Sequence, residues 1–169
     1  AGIGTIGASG TLWCTGSLLA DVNPATNTPY FLTANRFVSK KTSGLNAVAD
    51  MSGKTVVSTS GTANIQELAT VNVEKKLGMN IVAANDHAEA FLMLDTGRAA
   101  AFVMDDILLY SLVATAKTPA DYVVSAEALS TEPYGIMLRR DDPSFKALVD
   151  RTVSGLMQSG EIEKIYAKW

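Results

Sequence analysis

Ala99–Met104 is an unbroken apolar run that ends on two aspartates, Asp105 and Asp106. A strand with no polar face has to be covered on both sides, as a central strand is in a parallel sheet flanked by helices. The residues before it follow the same plan. Thr55–Thr59 reads as a short buried strand, and the turn Ser60-Gly61 leads into a helix from about Thr62. That helix would set Ile65, Leu68, Ala69, Val73 and Leu77 on one face, and Gly78 would end it in a left-handed cap. Asn80–Ala84 is the next strand. Asp86-His87-Ala88-Glu89 then has the form of a capping box, with Asp86 bonding forward and Glu89 back. The helix it opens stops at Gly97. After Met104, Asp105 or Asp106 starts another helix with Leu108, Leu109, Leu112 and Val113 inward.

The flanks extend the pattern. Tyr30–Val38 is apolar and β-prone, and further strands are predicted around Tyr122–Ser125 and Tyr134–Leu138. Asp142-Pro143 joins an N-cap acid to a proline at the first helical position. Phe145, Leu148, Val149, Thr152, Val153 and Leu156 would form the buried stripe of that helix. Gly160 breaks it, and Ile162, Ile165, Tyr166 and Trp169 suit a last short amphipathic helix. Strand-helix alternation of this kind predicts an α/β fold, a three-layer sandwich with right-handed crossovers. At 169 residues, 47% of them hydrophobic, the chain can bury a sizeable core.

Residues 1–29 differ in kind. Gly2, Gly4, Gly7, Gly10 and Gly16 interrupt brief apolar stretches at Leu12–Cys14 and Leu18–Ala20, and Asn23-Pro24, Asn27 and Pro29 signal turns. A strand pair or an irregular arm is expected there, ahead of a domain over residues 30–169. Ala1–Thr11 is Gly-rich and has no basic segment, so it does not read as a signal peptide. A net charge of -3 with isolated basic pairs gives no phosphate-binding surface, so nucleic acid is not an expected partner. No apolar run reaches the length of about 18 residues that a membrane span needs. Cys14 has no second cysteine to pair with, and with one histidine any zinc site is short of ligands. No metal or other cofactor is expected.

In open α/β sheets, ligands bind beyond the carboxyl ends of the strands. Three features fall there. Thr59-Ser60-Gly61-Thr62 joins a strand to a helix N-terminus and offers hydroxyls and backbone N–H groups to an anion; the plainer alternative is that Thr62 or Asn64 merely caps the helix. His87 lies in the first turn of the next helix, whose dipole favours an anionic partner, or is simply a solvent-exposed histidine. Asp105 closes the third strand, placed to meet a cation or to act as an N-cap. Thr59, Ser60, Thr62, His87 and Asp105 together describe a lip suited to a zwitterion carrying an extra acidic group.

The runs SGKTVVSTSGT, NDHAEAFLMLDTGRAAAFVMDD and EPYGIMLRRDDPSFKALVDRTVSGLMQSGEIEKIYAKW resemble, in order and spacing, the glutamate/aspartate-type solute-binding proteins of ABC importers. The resemblance covers roughly four-fifths of the chain, from about residue 30, and its combined motifs are specific. It implies a periplasmic-binding-protein type II lobe with C-terminal helices, a periplasmic location, and an acidic amino acid such as glutamate or aspartate as ligand. By that resemblance Tyr30–Lys41 matches the first hinge strand, Ser43 to about Ser130 the second lobe, and Pro133–Leu138 the return strand. The helices from Pro143 to Trp169 match the pair that packs on the first lobe. The position of Asp105 would bind the ligand ammonium, that of His87 the side-chain carboxylate, and the Thr59–Ala63 turn would touch the ligand. Ala63 departs from the hydroxyl residue often found there.

In that family the first lobe supplies an arginine clamp for the α-carboxylate, on a segment just before the first hinge strand. TGSLLADVNPATNT stands in that place and has neither the arginine nor the motif, so a missing first lobe and impaired binding are expected. GTLWCTGSLLADVNPATNTPYFLTAN instead resembles the strand pair before the catalytic histidine of bacterial trypsin-like peptidases of the lysyl-endopeptidase kind. Those reach a His-Cys pair where this chain has Arg36-Phe37, and a triad needs Ser, His and Asp in hydrogen-bond geometry. Peptidase activity is therefore not expected, and no residue is assigned as catalytic. The two resemblances imply a truncated carrier fused, naturally or by engineering, near FLTAN. The sequence is also compatible with two other outcomes. One is an esterase-like hydrolase on the same scaffold, pairing His87 with Ser60, Thr62 or Asp105. The other is a homo-oligomer formed through the helices after Pro143, whose apolar stripe would lack its partner.

Overall fold

The computed structural model describes residues 31–136, 138 and 141–168. The arm expected at residues 1–29, and the expected roles of Met137 and Trp169, lie outside the described residues. Two compact units are resolved: Thr33–Glu132, and a second unit whose described part is Phe31–Leu32 together with the residues from Pro133 onward.

The first unit is built on one sheet. Its strands are β1 (Phe31–Lys40), β2 (Thr55–Thr59), β3 (Asn80–Ala84), β4 (Ala101–Asp105), β5 (Tyr122–Val124) and β6 (Ser130–Tyr134). They run in the order β3-β2-β4-β1-β5, with β6 paired to β1. β2 is parallel to β3 and to β4, whereas β1 is antiparallel to β4 and β5. The sheet is thus mixed, with its parallel part formed by β3, β2 and β4.

Helices α1 (Ala63–Glu74), α2 (His87–Asp95) and α3 (Asp106–Thr115) complete the layers. Every residue of β4 is buried, Ala101–Met104 as their apolarity requires and Asp105 with them. Alternation along the strand divides the core in two. Ala101 and Val103 join Phe37, Val56, Leu68 and Val71 on one side. Phe102 and Met104 join Val38, Val57, Ala90, Met93, Leu94 and Leu109 on the other. Tyr122 closes the second cluster: its ring packs 5.0 Å from Phe91 between centroids, and its O–H donates to Asp95. Burial, and then that bond, push the phenol up to about 12.

Several expectations need correction. The inward face of α1 is Asn64, Leu68 and Val71; Ala69 is exposed and Val73 is 76% exposed. Positions 64, 68 and 71 and positions 65, 69 and 73 are adjacent rows about one residue apart, and apolarity alone did not decide which row meets the sheet. The capping box at α2 is offset: Asp86 Oδ1 accepts from the Glu89 N–H at 2.8 Å, but Glu89 Oε2 accepts from the N–H of Asn85, also at 2.8 Å. The last strand is β6 at Ser130–Tyr134, earlier than Tyr134–Leu138, with Gly135 and Ile136 outside it. Pairing with β1 sets that boundary, starting where the Leu129 N–H donates to the Asn35 carbonyl at 2.7 Å.

In the second unit, α4 (Pro143–Gln158) starts as expected, with Asp142 Oδ1 accepting from the Phe145 N–H at 2.9 Å. Gly160, at φ 72°, separates it from α5 (Glu161–Lys168). Of the expected stripe on α4 only Val153 is buried; Phe145 is 50% and Leu148 47% exposed. Phe31 packs 5.9 Å from Tyr134 and 5.7 Å from Tyr166, ring centre to ring centre. Among the described residues no helix is long and apolar enough to cross a membrane.

Candidate functional site

The parallel strands β2, β3 and β4 end at Thr59, Ala84 and Asp105, and the expected site residues gather along that edge. Thr59 is level with Ala84, and Ser58 with Val103. After Thr59 the chain turns at Ser60-Gly61, where Gly61 takes φ 73°, a conformation that side chains with Cβ resist. Thr62 is the N-cap of α1. Its hydroxyl donates to the Thr59 carbonyl at 2.7 Å and accepts from the Ile65 N–H at 3.4 Å. The Ser60 N–H donates to the Ala84 carbonyl at 2.8 Å and so extends the β2–β3 pairing, while Ser60 itself is exposed. The turn therefore presents less to an anion than its sequence suggested: Thr62 caps, and the Ser60 amide is engaged.

Asp105 is 4% exposed and, though it stands at the N-cap position of α3, makes no side-chain cap bond. Its Oδ1 accepts instead from Asn64 Nδ2 at 2.8 Å. Asn64 was expected, at most, as a helix cap; it is a buried partner of the acid. The available signal was phase: it is the polar member of the inward row with Leu68 and Val71. Asn35 is the second residue that sequence reasoning passed over. It sits opposite Asp105 in the β1–β4 register, is fully buried, and among the described residues neither its Oδ1 nor its Nδ2 has a hydrogen-bond partner. Asp106 is drawn elsewhere, accepting from Thr33 Oγ1 at 2.7 Å and Arg36 Nε at 3.2 Å.

His87 is the first residue of α2, after the N-cap Asp86, and is half-buried. Its Nδ1 lies 2.7 Å from Thr59 Oγ1. Partial burial holds the imidazole below its ordinary value, while the carboxylates of Asp86 and Asp105 pull in the opposite direction. Because the folded value is the lower one, the unfolded chain binds more protons as pH falls through about 6.5. Stability contributed by neutral His87 is present above that pH and is lost below it. Asp50 and Asp142 act in a separate window: backbone N–H bonds lower both carboxyls, so their contribution disappears only below about pH 4. The melting temperature should therefore decline between pH 7 and 5, and His87→Gln should flatten that stretch alone. Calorimetry across this range would contradict the assignment if the two profiles ran parallel.

The base–hydroxyl pair that the structure makes is His87 with Thr59, not with Ser60 or Thr62. Thr59 is 5% exposed, a poor position for a nucleophile that must meet a substrate.

Comparison with known proteins gives two kinds of match. Residues 3–111 match the family described as lysyl endopeptidase, C-terminal domain. The match runs well past residue 29, through β2, β3, β4 and most of α3, so it does not stop at the junction expected from sequence. The L-glutamate/L-aspartate-binding protein of Pseudomonas aeruginosa is 48% identical over 82% of this chain and 46% of its own length. The glutamate/aspartate import solute-binding protein of Escherichia coli is 42% identical over the same shares. The chain thus spans about half the length of the curated relatives it matches. Among solved structures, an ancestral arginine-binding protein bound to arginine superposes with a TM-score of 0.71 at 28% identity, over 85% of this chain and 62% of that one. The GluR0 ligand-binding core in complex with L-glutamate gives 0.71 at 19% identity over the same shares, a likeness of fold. These neighbours are periplasmic-binding-protein type II domains, and the described fold is of that class.

Proposed function

The chain belongs over residues 3–111 to the lysyl endopeptidase C-terminal domain family and is a homologue of glutamate/aspartate-type solute-binding proteins, and from that premise we propose that it carries the ligand lip of an acidic-amino-acid-binding lobe. The observation that carries this reading is the placement of a buried carboxylate, Asp105, and a half-buried imidazole, His87, along one edge of the sheet, at the carboxyl ends of β4 and β3 on either side of β2. A zwitterion with a second acid needs that set: an anion for its ammonium and a hydrogen-bond donor for its side-chain carboxylate. In this reading Asp105 takes the ammonium, His87 the side-chain carboxylate, and Ser60, exposed in the turn, the remaining polar contact; Thr59 and Thr62 act behind them.

Affinity is expected to be weak. Arg36, near in sequence to where a carboxylate clamp is expected, is bonded to Asp106 and to the carbonyls of Ser125 and Ala126. The described residues would touch the ligand from one side, so binding through them has to offset its loss of freedom with few contacts. A dissociation constant on the order of millimolar follows. Titration calorimetry with glutamate and aspartate tests it directly: no heat and no thermal shift at such concentrations would remove the reading. By the relatives, such a lobe would work in the periplasm beside an ABC importer.

A further inference from the structure

Thr59 and Thr62 are both threonines near the carboxyl end of β2, and the fold gives them opposite tasks. Thr62 donates its hydroxyl proton to a carbonyl. Thr59 Oγ1 faces the ring of His87 at 2.7 Å, and among the described residues Nδ1 is the one hydrogen-bond partner of that hydroxyl. Thr59 is 5% exposed, so water does not freely replace a missing partner. Two arrangements fit the distance. If the ring nitrogen carries the proton, it donates to Oγ1, and the buried hydroxyl proton is left with no acceptor. If the ring nitrogen is bare, the hydroxyl donates to it and every proton is bonded. A buried donor without an acceptor is costly, so the second arrangement prevails by about tenfold or more.

We propose that Thr59 is a positioning and specificity residue that fixes neutral His87 as the tautomer protonated on Nε2, so the ring turns an N–H donor, never a lone pair, to its open side. A donor recognises a carboxylate or another anion and offers nothing to a guanidinium or ammonium. Protonating the ring keeps the donor in place: the second proton goes to Nδ1, which then donates to Oγ1. The lip thus meets an anion with the same group in either charge state. This deepens the acidic-amino-acid reading and rests on it for the identity of the anion, while the tautomer itself is set with no ligand present.

The chain has one histidine, so its two ring nitrogens can be read without assignment in the whole protein labelled with 15N-histidine. At pH 8, long-range proton–nitrogen correlation should show Nε2 as the protonated nitrogen and Nδ1 as the bare one. Thr59→Val, close in shape but without the hydroxyl, should move both shifts toward an averaged mixture, and Thr59→Ser should restore the wild-type pattern. A wild-type ring protonated on Nδ1, or a valine variant with unchanged shifts, overturns the proposal. In parallel titrations Thr59→Val should narrow the preference for glutamate over glutamine about tenfold, with serine restoring it. An unchanged preference would refute the specificity role. If wild type binds neither amino acid, the functional reading fails while the nitrogen shifts still decide the tautomer.

Discussion

Asp105→Asn should take glutamate binding from the millimolar range to no measurable heat while changing the melting temperature little. The two effects separate because the residue does two things. To the fold it offers an acceptor for Asn64 Nδ2 at 2.8 Å, and a carboxamide oxygen can do the same. To an ammonium it offers a charge, held at 4% exposure where water screens little. Removing one partner of such a pair costs a factor on the order of a hundred or more in affinity. Neutralising a buried acid that has hydrogen-bond partners weakens those bonds but also relieves part of its desolvation, so the net change in stability is small. A variant that melts several degrees lower and binds as before would mean that Asp105 is a structural acid and that the ammonium goes elsewhere.

How far the site was legible follows from what each residue depends on. β2 and β3 were readable to the residue, because each is a short apolar run closed by a turn and needs no partner to be recognised. β4 was readable in its burial, since no face of Ala101–Met104 is polar. The functions of the threonines were not. Whether a hydroxyl caps a helix or faces an imidazole depends on how α1 and α2 sit on the sheet, and that is settled by residues far away in sequence. The Ser60 amide looked free because its acceptor, the Ala84 carbonyl, comes from the neighbouring strand. Asn64 was hidden by helix phase: Ile65 and Val73 form an apolar row as regular as Leu68 and Val71, yet only the second row meets Phe37 and Val103. Asn35 was hidden in a β-prone stretch, and its position opposite Asp105 exists only in the antiparallel register. In each case the local pattern specified the element, and the pairing of elements specified the task.

Phe102→Ala and Phe145→Ala should differ sharply although the sequence placed both phenylalanines on buried faces. Phe102 has no exposed surface and packs in the middle of β4, level with Val57 and Val38 on its two neighbouring strands. Truncating it removes the transfer energy of the ring and leaves a cavity that flanking strands cannot close, about 3–5 kcal/mol. That is a large share of the roughly 5–15 kcal/mol that holds a domain folded. Phe145 is 50% exposed on α4, and its loss should cost about 1 kcal/mol or less. Urea unfolding of the two variants would read the difference as a shift in midpoint at similar slope. Equal losses would mean that the face of α4 is covered in solution and that the core around Phe102 closes over the gap. The binding site adds a second readout. Asp105 ends the strand that Phe102 anchors, so the heat of glutamate binding should fall with Phe102→Ala even where the protein remains mostly folded, and should not change with Phe145→Ala.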